Sequence, residues 1–266
     1  MSTTPATSQD DGQYPKIKMY TNHGCGWCHR VQIVLKELDL PYEQVLVDLD
    51  NPRPEWFLKL NPRGLVPVFQ YTASPSSPTL TLTESGPIVS FLTDLYPSSL
   101  LPALSPPNPS SPPTIDGVEK AHLRYRMAFF VETYFTKVNP FMFKIVGTKD
   151  AQAQAKLVDE CIALLEKEIE PLLVDAQPYF AGSKELTLVE AMTAPFTTRL
   201  YDFANGEILP SALGERMTGP SLPNFARWMN LCASHPSVLA TWDKEYFIPR
   251  IIERLPKAKA KYATGN

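Results

Sequence analysis

The chain has 266 residues and is 44% hydrophobic and 20% charged, which is ordinary for a soluble globular protein of one large or two small domains. Its net charge of −3 argues against general nucleic-acid affinity, and no apolar run approaches the roughly 18 residues that span a membrane. Its four cysteines do not make a disulfide scaffold. We therefore expect a soluble protein of a reducing compartment, most simply the cytoplasm, with neither nucleic acid nor membrane as a partner.

The first regular elements surround Cys25. Residues 1–15 are polar, lack the features of a targeting segment and predict a disordered leader. Residues 17–20 predict a short strand, and residues 22–26 supply a turn. From Trp27 onward, apolar side chains recur at helical spacing. Cys25 therefore falls where the turn becomes a helix.

This position favours a reactive thiolate at Cys25. The unpaired N–H groups of a first helical turn and the positive end of the helix dipole both stabilise a negative charge, and so lower the pKa of a cysteine. Cys28 lies one turn later and completes a Cys-X-X-Cys pair, which makes it a candidate resolving thiol. We predict nucleophilic or redox chemistry at Cys25.

Three other interpretations of this stretch remain open. Residues 25–29 read C-G-W-C-H, which is also the attachment pattern of c-type haem, although no export signal is visible. The two cysteines could hold zinc together with His23 and His29, although no second Cys/His pair follows downstream. They could also be ordinary buried cysteines, as we expect for Cys161 and Cys232.

Further short elements complete an N-terminal α/β unit with the order β-α-β, then β-β-α. The pattern predicts a strand parallel to the first, a short helix, two hairpin strands and a second long helix. These elements are assigned to residues 42–48, 55–60, 66–71, 79–83 and 84 onward. The arrangement predicts a mixed four-stranded sheet with helices.

The second half of the chain is predicted to be all-helical. Residues 97–114 carry seven prolines and predict an extended linker. Thr187 and Glu190 have the spacing of a capping box at a helix start. Helical composition and spacing occur at residues 117–137, 151–173, 187–203 and 222–234. The expected division is a leader at 1–15, an α/β domain at 16–97, a linker at 98–116 and a helical domain at 117–266.

Taken together, these features resemble the cytosolic glutathione transferases, most closely the cysteine-dependent omega-like class, over about residues 17–235. The resemblance depends on the order and spacing of the Cys25 turn, P-E-W-F at 54–57, N-P-R-G-L-V-P-V at 61–68, E-S at 84–85 and the Thr187 capping box. It implies an α/β plus all-α fold, with a thioredoxin-like N-terminal domain and an all-helical C-terminal domain. It also implies a homodimer that uses glutathione as co-substrate and no metal.

The resemblance assigns glutathione-binding roles to six residues. The backbone of Val66, before a cis Pro67, would pair with the cysteinyl part of glutathione like an added strand. Ser85, at a helix N-terminus, would bind the γ-glutamyl carboxylate, and Glu84 the γ-glutamyl ammonium. The remaining two residues are Trp27, beside the nucleophile, and Arg53, near the glycyl end.

Each of these roles has a simpler alternative. Pro67 could be a trans residue that starts a strand, and Glu84 and Ser85 could only cap their helix. Trp27 could pack beneath the sheet. Arg63 is another cation near the glycyl end of the ligand.

The second substrate is expected between the domains. The helix at 117–137 carries Tyr125, Phe129 and Phe130, of which two could belong to the core, and Trp228 aligns with a substrate-site aromatic of the family. We assign Tyr125, Phe129 and Trp228 to this site. Cys28 and the long proline-rich linker depart from the omega pattern and leave the substrate open.

The function that this resemblance implies is glutathione-dependent thiol transfer or reduction. It covers deglutathionylation and dehydroascorbate-type or glutathionyl-adduct reduction, with a Cys25 glutathione mixed disulfide as intermediate. A second glutathione or Cys28 would resolve that intermediate, and the acceptor would be a small hydrophobic compound or a disulfide. His29, if protonated, could help to hold the thiolate. The alternatives are a conjugating transferase of detoxification or secondary metabolism, and a non-catalytic binding protein of the same fold.

Overall fold

A computed structural model of the chain describes residues 14–104 and 114–263. Its N-terminal part is built on a four-stranded sheet with the strand order β2-β1-β3-β4. The strands are β1 (Lys16–Thr21), β2 (Glu43–Leu46), β3 (Val68–Thr72) and β4 (Leu80–Thr83), and the helices are α1 (Gly26–Glu37), α2 (Glu55–Leu60) and α3 (Ser85–Leu95).

The sheet is mixed, as predicted, because it contains both parallel and antiparallel strand pairs. Strand β2 runs parallel to β1 after the α1 crossover, whereas β3 and β4 form an antiparallel hairpin that continues the sheet. Met19 of the central strand lies opposite Phe69, and both side chains are fully buried. The N-terminal part is thus a thioredoxin-like sheet domain.

Helix α1 is buried on almost every side. It packs against α3 on the sheet domain and against α7 (Leu188–Phe203) and α10 (Pro236–Leu239) of the helical region. This explains why Cys28, His29 and Arg30 are as buried as the apolar residues of the same helix. The residues that follow Cys25 therefore lie at the interface between the sheet and the helices.

The rest of the described chain is helical. After β4, the described residues form no β-structure beyond an isolated bridge between Ser98 and Leu101. The remaining helices are α4 (Ile115–Thr133), α5 (Pro140–Gly147), α6 (Ala151–Leu164), α8 (Ser211–Met217), α9 (Pro223–Ser234) and α11 (Lys244–Ala263). None of the helices in the described part is at once long and apolar enough to cross a membrane.

Several helix boundaries differ from the predicted ones. Helix α4 begins at Ile115, inside the predicted linker, and the predicted helix at 151–173 changes from α to π geometry at Leu165 and to 3₁₀ geometry at Glu170. Helices α5, α8, α10 and α11 were not predicted. The predicted leader lies outside the described residues except for residues 14 and 15, and residues 105–113 of the linker also lie outside them.

The helical region is stabilised by a buried carboxylate at the start of α7. The predicted capping box of Thr187 and Glu190 is present. Glu190 is fully buried, and its oxygens accept hydrogen bonds from the Phe180 and Thr187 N–H groups, the Thr187 hydroxyl and the Trp228 indole N–H. Since each donor is itself buried, this carboxylate joins the start of α7 to α9 and to the preceding loop.

Candidate active site

Cys25 is the N-cap residue of α1, as the sequence predicts. Its extended backbone (φ −84°, ψ 115°) ends the turn, its N–H donates to the Asn22 carbonyl at 3.0 Å, and its own carbonyl accepts from the His29 N–H at 3.1 Å. The Asn22 side chain stabilises the turn. Its Oδ1 accepts a hydrogen bond from the Gly24 N–H, and its Nδ2 donates one to the Val47 carbonyl. The half-buried Cys25 thiol is thus held at the first turn of a helix.

The two thiols of the motif have opposite character. The Cys28 thiol, acting as donor, is the main cause that lowers the pKa of Cys25 to about 6. Burial opposes this shift, while the Cys28 and Trp27 N–H groups and the charge of Arg199 favour it. Burial and the neighbouring Cys25 charge raise the pKa of Cys28 well above its usual range. At neutral pH, Cys25 is therefore a thiolate and Cys28 a protonated donor.

Alkylation of Cys25 should therefore rise with pH through a midpoint near pH 6, because only the thiolate reacts. Cys28→Ala removes the main stabilising donor, so we expect this midpoint to move toward that of an ordinary cysteine. Cys28→Ser keeps a hydroxyl donor and should move it less. The rate of iodoacetamide modification against pH, followed by mass spectrometry, gives the midpoint for the wild type and for both variants. An unchanged midpoint in Cys28→Ala would contradict the proposed hydrogen bond.

A buried arginine from the helical region supports the Cys25 turn. Arg199 of α7 is 4% exposed, and its guanidinium donates to the His23 carbonyl at 3.3 Å and to Nδ1 of His29 at 3.0 Å. Burial lowers its pKa to about 10, so it remains a cation at neutral pH. Arg199 thus fixes the turn and brings a positive charge toward Cys25.

His29 does not have the role that we considered for it. Its Nδ1 accepts from Arg199, so its Nε2 carries the proton and donates to the Val238 carbonyl at 2.8 Å. Burial and the Arg199 charge lower its pKa well below the usual range. His29 is therefore a neutral link between α1 and α10, and it does not stabilise the thiolate as a cation.

A second buried arginine lies behind Ser85. Arg30 donates to the Ser85 hydroxyl at 3.3 Å and to the Met192 carbonyl at 2.9 Å. Its guanidinium lies 4.4 Å from the ring centre of Trp27 and 4.0 Å from that of Phe135. Burial lowers its pKa to about 9, which leaves it charged at neutral pH. This cation places positive potential behind the Ser85 hydroxyl.

Trp27 lies at the surface beside the nucleophile. Its side chain is 41% exposed, and its ring meets Phe196 edge-on at 4.7 Å. Packing beneath the sheet, the alternative interpretation, is therefore excluded. Gly26 allows this arrangement, because a Cβ there would lie 3.1 Å from the Phe196 ring.

The predicted glutathione residues lie near one another at the edge of the sheet domain. The Val66–Pro67 peptide bond is cis, and within the described residues neither the N–H nor the C=O of Val66 has a hydrogen-bond partner. Ser85 begins α3, and Glu84 precedes it with φ +71° and no capping bond from its side chain. Glu84 is half-exposed and pairs with Arg63 at 2.5 Å.

Arg53 is bound to the protein backbone. Its guanidinium donates to four carbonyl groups, those of Asp48, Leu49, Asn51 and Gly64. These bonds close the loop between β2 and α2 onto the turn that contains Gly64. The Arg53 side chain thus stabilises this loop. Its role in binding the glycyl end of glutathione stays a prediction.

The predicted second-substrate residues do not line a common site. Trp228 is fully buried, with its indole bound to Glu190 and its ring packed on Phe130, so it belongs to the helical core and its assignment was wrong. Tyr125 and Phe129 are 62% and 45% exposed and stack on each other on the outer face of α4. Neither contributes to the cavity next to Cys25.

That cavity has a volume of about 630 Å³ and lies between the Cys25 turn and helices α5, α7 and α11. Gly24, Cys25 and Trp27 form one side, and Arg199 of α7 is part of its lining. Helix α11 contributes most of the other side, and an ion pair between its Arg254 and Asp50 joins it to the sheet domain at 2.6 Å.

The sequence analysis did not identify two parts of this site, Arg199 and helix α11. Arg199 is a lone basic residue in the otherwise largely apolar helix 188–203, and such a residue signals a buried polar role. Helix α11 carries apolar residues at helical spacing, but Pro249 and Pro256 hide the pattern.

The alternative zinc site is not formed, since no group of three or more His, Cys, Asp or Glu side chains suited to a metal occurs in the described parts of the chain.

Comparison with known proteins agrees with this geometry. Residues 19–104 match the family model of the glutathione S-transferase N-terminal domain. Glutathione S-transferase omega-1 of Mus musculus is 28% identical over 187 residues, 70% of this chain and 67% of its own. Pyrimidodiazepine synthase of Drosophila melanogaster is 35% identical over 81 residues, 30% of this chain, so the match spans about a third (32%) of that relative.

The fold extends the similarity over most of the chain. Glutathione transferase Omega 1C of Trametes versicolor superposes with a TM-score of 0.73 at 23% identity, over 92% of this chain and 98% of its own. A thioredoxin-like domain with an N-cap cysteine, joined to a helical domain, defines the class of the protein. Residues 19–104 belong to the glutathione S-transferase N-terminal domain family, and the chain as a whole is similar to omega-class glutathione transferases.

Proposed function

We propose that the protein is a glutathione-dependent thiol transferase and reductase with Cys25 as its nucleophile. The observation that carries the proposal is the half-buried thiol at the N-terminus of α1, whose pKa is lowered to about 6. A cysteine of this kind forms a covalent bond with a sulfur electrophile, whereas a hydroxyl group would only hold a glutathione thiolate. Reduction should therefore dominate over conjugation.

The reaction begins when the Cys25 thiolate attacks the glutathionyl sulfur of a mixed disulfide, R–S–S–glutathione. The S–S bond breaks, R–S⁻ leaves and takes a proton from water, and a Cys25–S–S–glutathione disulfide forms. The thiolate of a second glutathione then attacks the glutathionyl sulfur. Oxidised glutathione leaves, and Cys25 returns as the thiolate.

Glutathione would be held by the groups at the sheet edge. The free N–H and C=O of Val66 suit the cysteinyl backbone, in the manner of an added strand. The Ser85 hydroxyl, with the Arg30 cation behind it, suits the γ-glutamyl carboxylate. Glu84 would exchange its bond with Arg63 for the γ-glutamyl ammonium.

The burial of Cys28 favours resolution by a second glutathione over internal disulfide formation. The Cys28 side chain is fully buried, and its raised pKa keeps it protonated and weakly nucleophilic. We propose that Cys28 mainly donates a hydrogen bond to the Cys25 thiolate. A homodimer and a cytoplasmic location remain part of the same proposal.

Turnover of Cys28→Ser tests this mechanism. With the mixed disulfide of glutathione and 2-mercaptoethanol as substrate, we expect this variant to retain kcat within about tenfold of the wild type, because external glutathione resolves the intermediate. Formation of oxidised glutathione is the measurement, and conjugation of an aryl halide is measured in parallel. Loss of reduction in Cys28→Ser would show that the two thiols act as a pair, and conjugation faster than reduction would contradict the proposed function.

A further inference from the structure

The walls of the cavity beside Cys25 are rich in aromatic rings. Six rings line it, and they come from α5, α7 and α11 in addition to the sheet domain's own Trp27. They are Phe143, Phe196, Phe203, Tyr246, Phe247 and Tyr262. A cavity of about 630 Å³ with such walls suits a compound of one or two aromatic rings.

The charged groups of the same cavity are predominantly positive. Arg199, Arg250 and Arg254 line it, and Asp50 is the one carboxylate among the lining residues. Asp50 pairs with Arg254 at 2.6 Å, so no carboxylate of the lining pairs with Arg199 or Arg250, and the Cys25 thiolate lies near Arg199. The nearby Asp202 carboxylate is held by the Trp242 indole N–H at 2.6 Å.

Arg199 and Arg250 approach the cavity differently. Arg199 is buried, has no ion pair within the described part of the chain, and its Nε has no hydrogen-bond partner there. Arg250 is exposed; its guanidinium donates to the Tyr246 carbonyl at 2.8 Å and lies 3.5 Å from the ring centre of Tyr246. One cation therefore lies deep in the site, and the other lies on an aromatic ring of its wall.

This space is separate from the glutathione groups. Val66, Glu84 and Ser85 do not line the cavity, whereas Cys25 does. A glutathionyl group along the sheet edge would leave the cavity free for the other half of the substrate, with the scissile bond at Cys25. The acceptor is expected in this cavity, and we propose that the cavity selects acceptors whose aromatic group carries an anionic substituent.

The proposal rests on the proposed function, because the acceptor is the group that leaves when Cys25 attacks. For a mixed disulfide of glutathione with an aryl thiol, the Cys25 thiolate takes the glutathionyl sulfur and the aryl thiolate departs into the cavity. A carboxylate on its ring would gain from the arginine charges, and the ring itself from the aromatic walls. A second glutathione then attacks the glutathionyl sulfur, and Cys25 returns as the thiolate.

A matched pair of substrates tests the selectivity. The mixed disulfides of glutathione with 4-mercaptobenzoate and with 4-mercaptobenzamide have the same shape and differ in the charge of one substituent. We expect the wild type to favour the carboxylate by about tenfold in kcat/KM, measured from release of the aryl thiol. The ratio of the two values removes any general loss of activity or folding.

Three variants locate the source of this preference. Arg250→Gln should lower the carboxylate-to-amide ratio by about threefold to tenfold, and Asp50→Asn should raise it. Arg124→Gln makes the same charge change on α4, outside the cavity, and should leave the ratio unchanged. Equal turnover of both disulfides, or a ratio that Arg250→Gln does not change, would overturn the inference and leave the proposed function intact. A wild type that reduces neither disulfide would overturn the proposed function itself.

Discussion

Cys25→Ser should reduce glutathione mixed disulfides at least about 10³-fold more slowly than the wild type, a loss of about 4 kcal/mol in transition-state stabilisation. The reason is that a serine oxygen cannot form the disulfide with glutathione, and its hydroxyl stays protonated at neutral pH, whereas the pKa of Cys25 is lowered to about 6. Steady-state formation of oxidised glutathione measures the loss. Cys28→Ser is the matched control, because it makes the same atomic change one helical turn away.

Binding separates this chemical loss from a structural one. The groups proposed to hold glutathione lie at Val66 and Ser85 and do not depend on the Cys25 sulfur. Cys25→Ser should therefore still bind glutathione, with a Kd within about tenfold of the wild type by calorimetry. Retention of reductase activity within tenfold in Cys25→Ser would contradict the assignment of the nucleophile.

Glu190→Ala should lower the free energy of unfolding by about 3–5 kcal/mol. The substitution leaves four buried donors without their acceptor: the Phe180 and Thr187 N–H groups, the Thr187 hydroxyl and the Trp228 indole. Urea unfolding followed by tryptophan fluorescence measures the change.

A neighbouring glutamate provides the control for this stability prediction. Glu185 is exposed and forms no ion pair in the described part of the chain, so Glu185→Ala should change the free energy of unfolding by less than about 0.5 kcal/mol. Equal effects of the two substitutions would contradict the role of the buried carboxylate. Glu190→Gln should lie between them, because an amide keeps one acceptor oxygen.

The Cys25 turn could be predicted because its causes are local. A short strand, turn residues and helical apolar spacing determine where α1 begins, so the position of Cys25 follows from neighbouring residues alone. The same holds for the capping box of α7, whose Thr187 and Glu190 are close in sequence. The predicted sheet and the predicted helical half are confirmed.

The acceptor side of the site could not be predicted in the same way, because it depends on distant contacts. Helix α11 packs along α5, where Gly147 lets the Tyr262 backbone approach so closely that a Cβ would lie 2.7 Å from it. Nothing near residue 147 in the sequence indicates this contact. Trp228 was assigned to the ligand site although it belongs to the core. Its indole donates to Glu190, and nothing near residue 228 in the sequence indicates this bond.

The intact mass of the protein after incubation with oxidised glutathione tests the central claim most directly. We expect one glutathionyl group on the wild type and on Cys28→Ser, added through a disulfide that excess reduced glutathione removes, and none on Cys25→Ser. The other two cysteines, Cys161 and Cys232, are fully buried and should remain unmodified in the folded protein. A glutathionyl group on Cys25→Ser, or none on the wild type, would contradict the account of Cys25 as the residue that takes up glutathione.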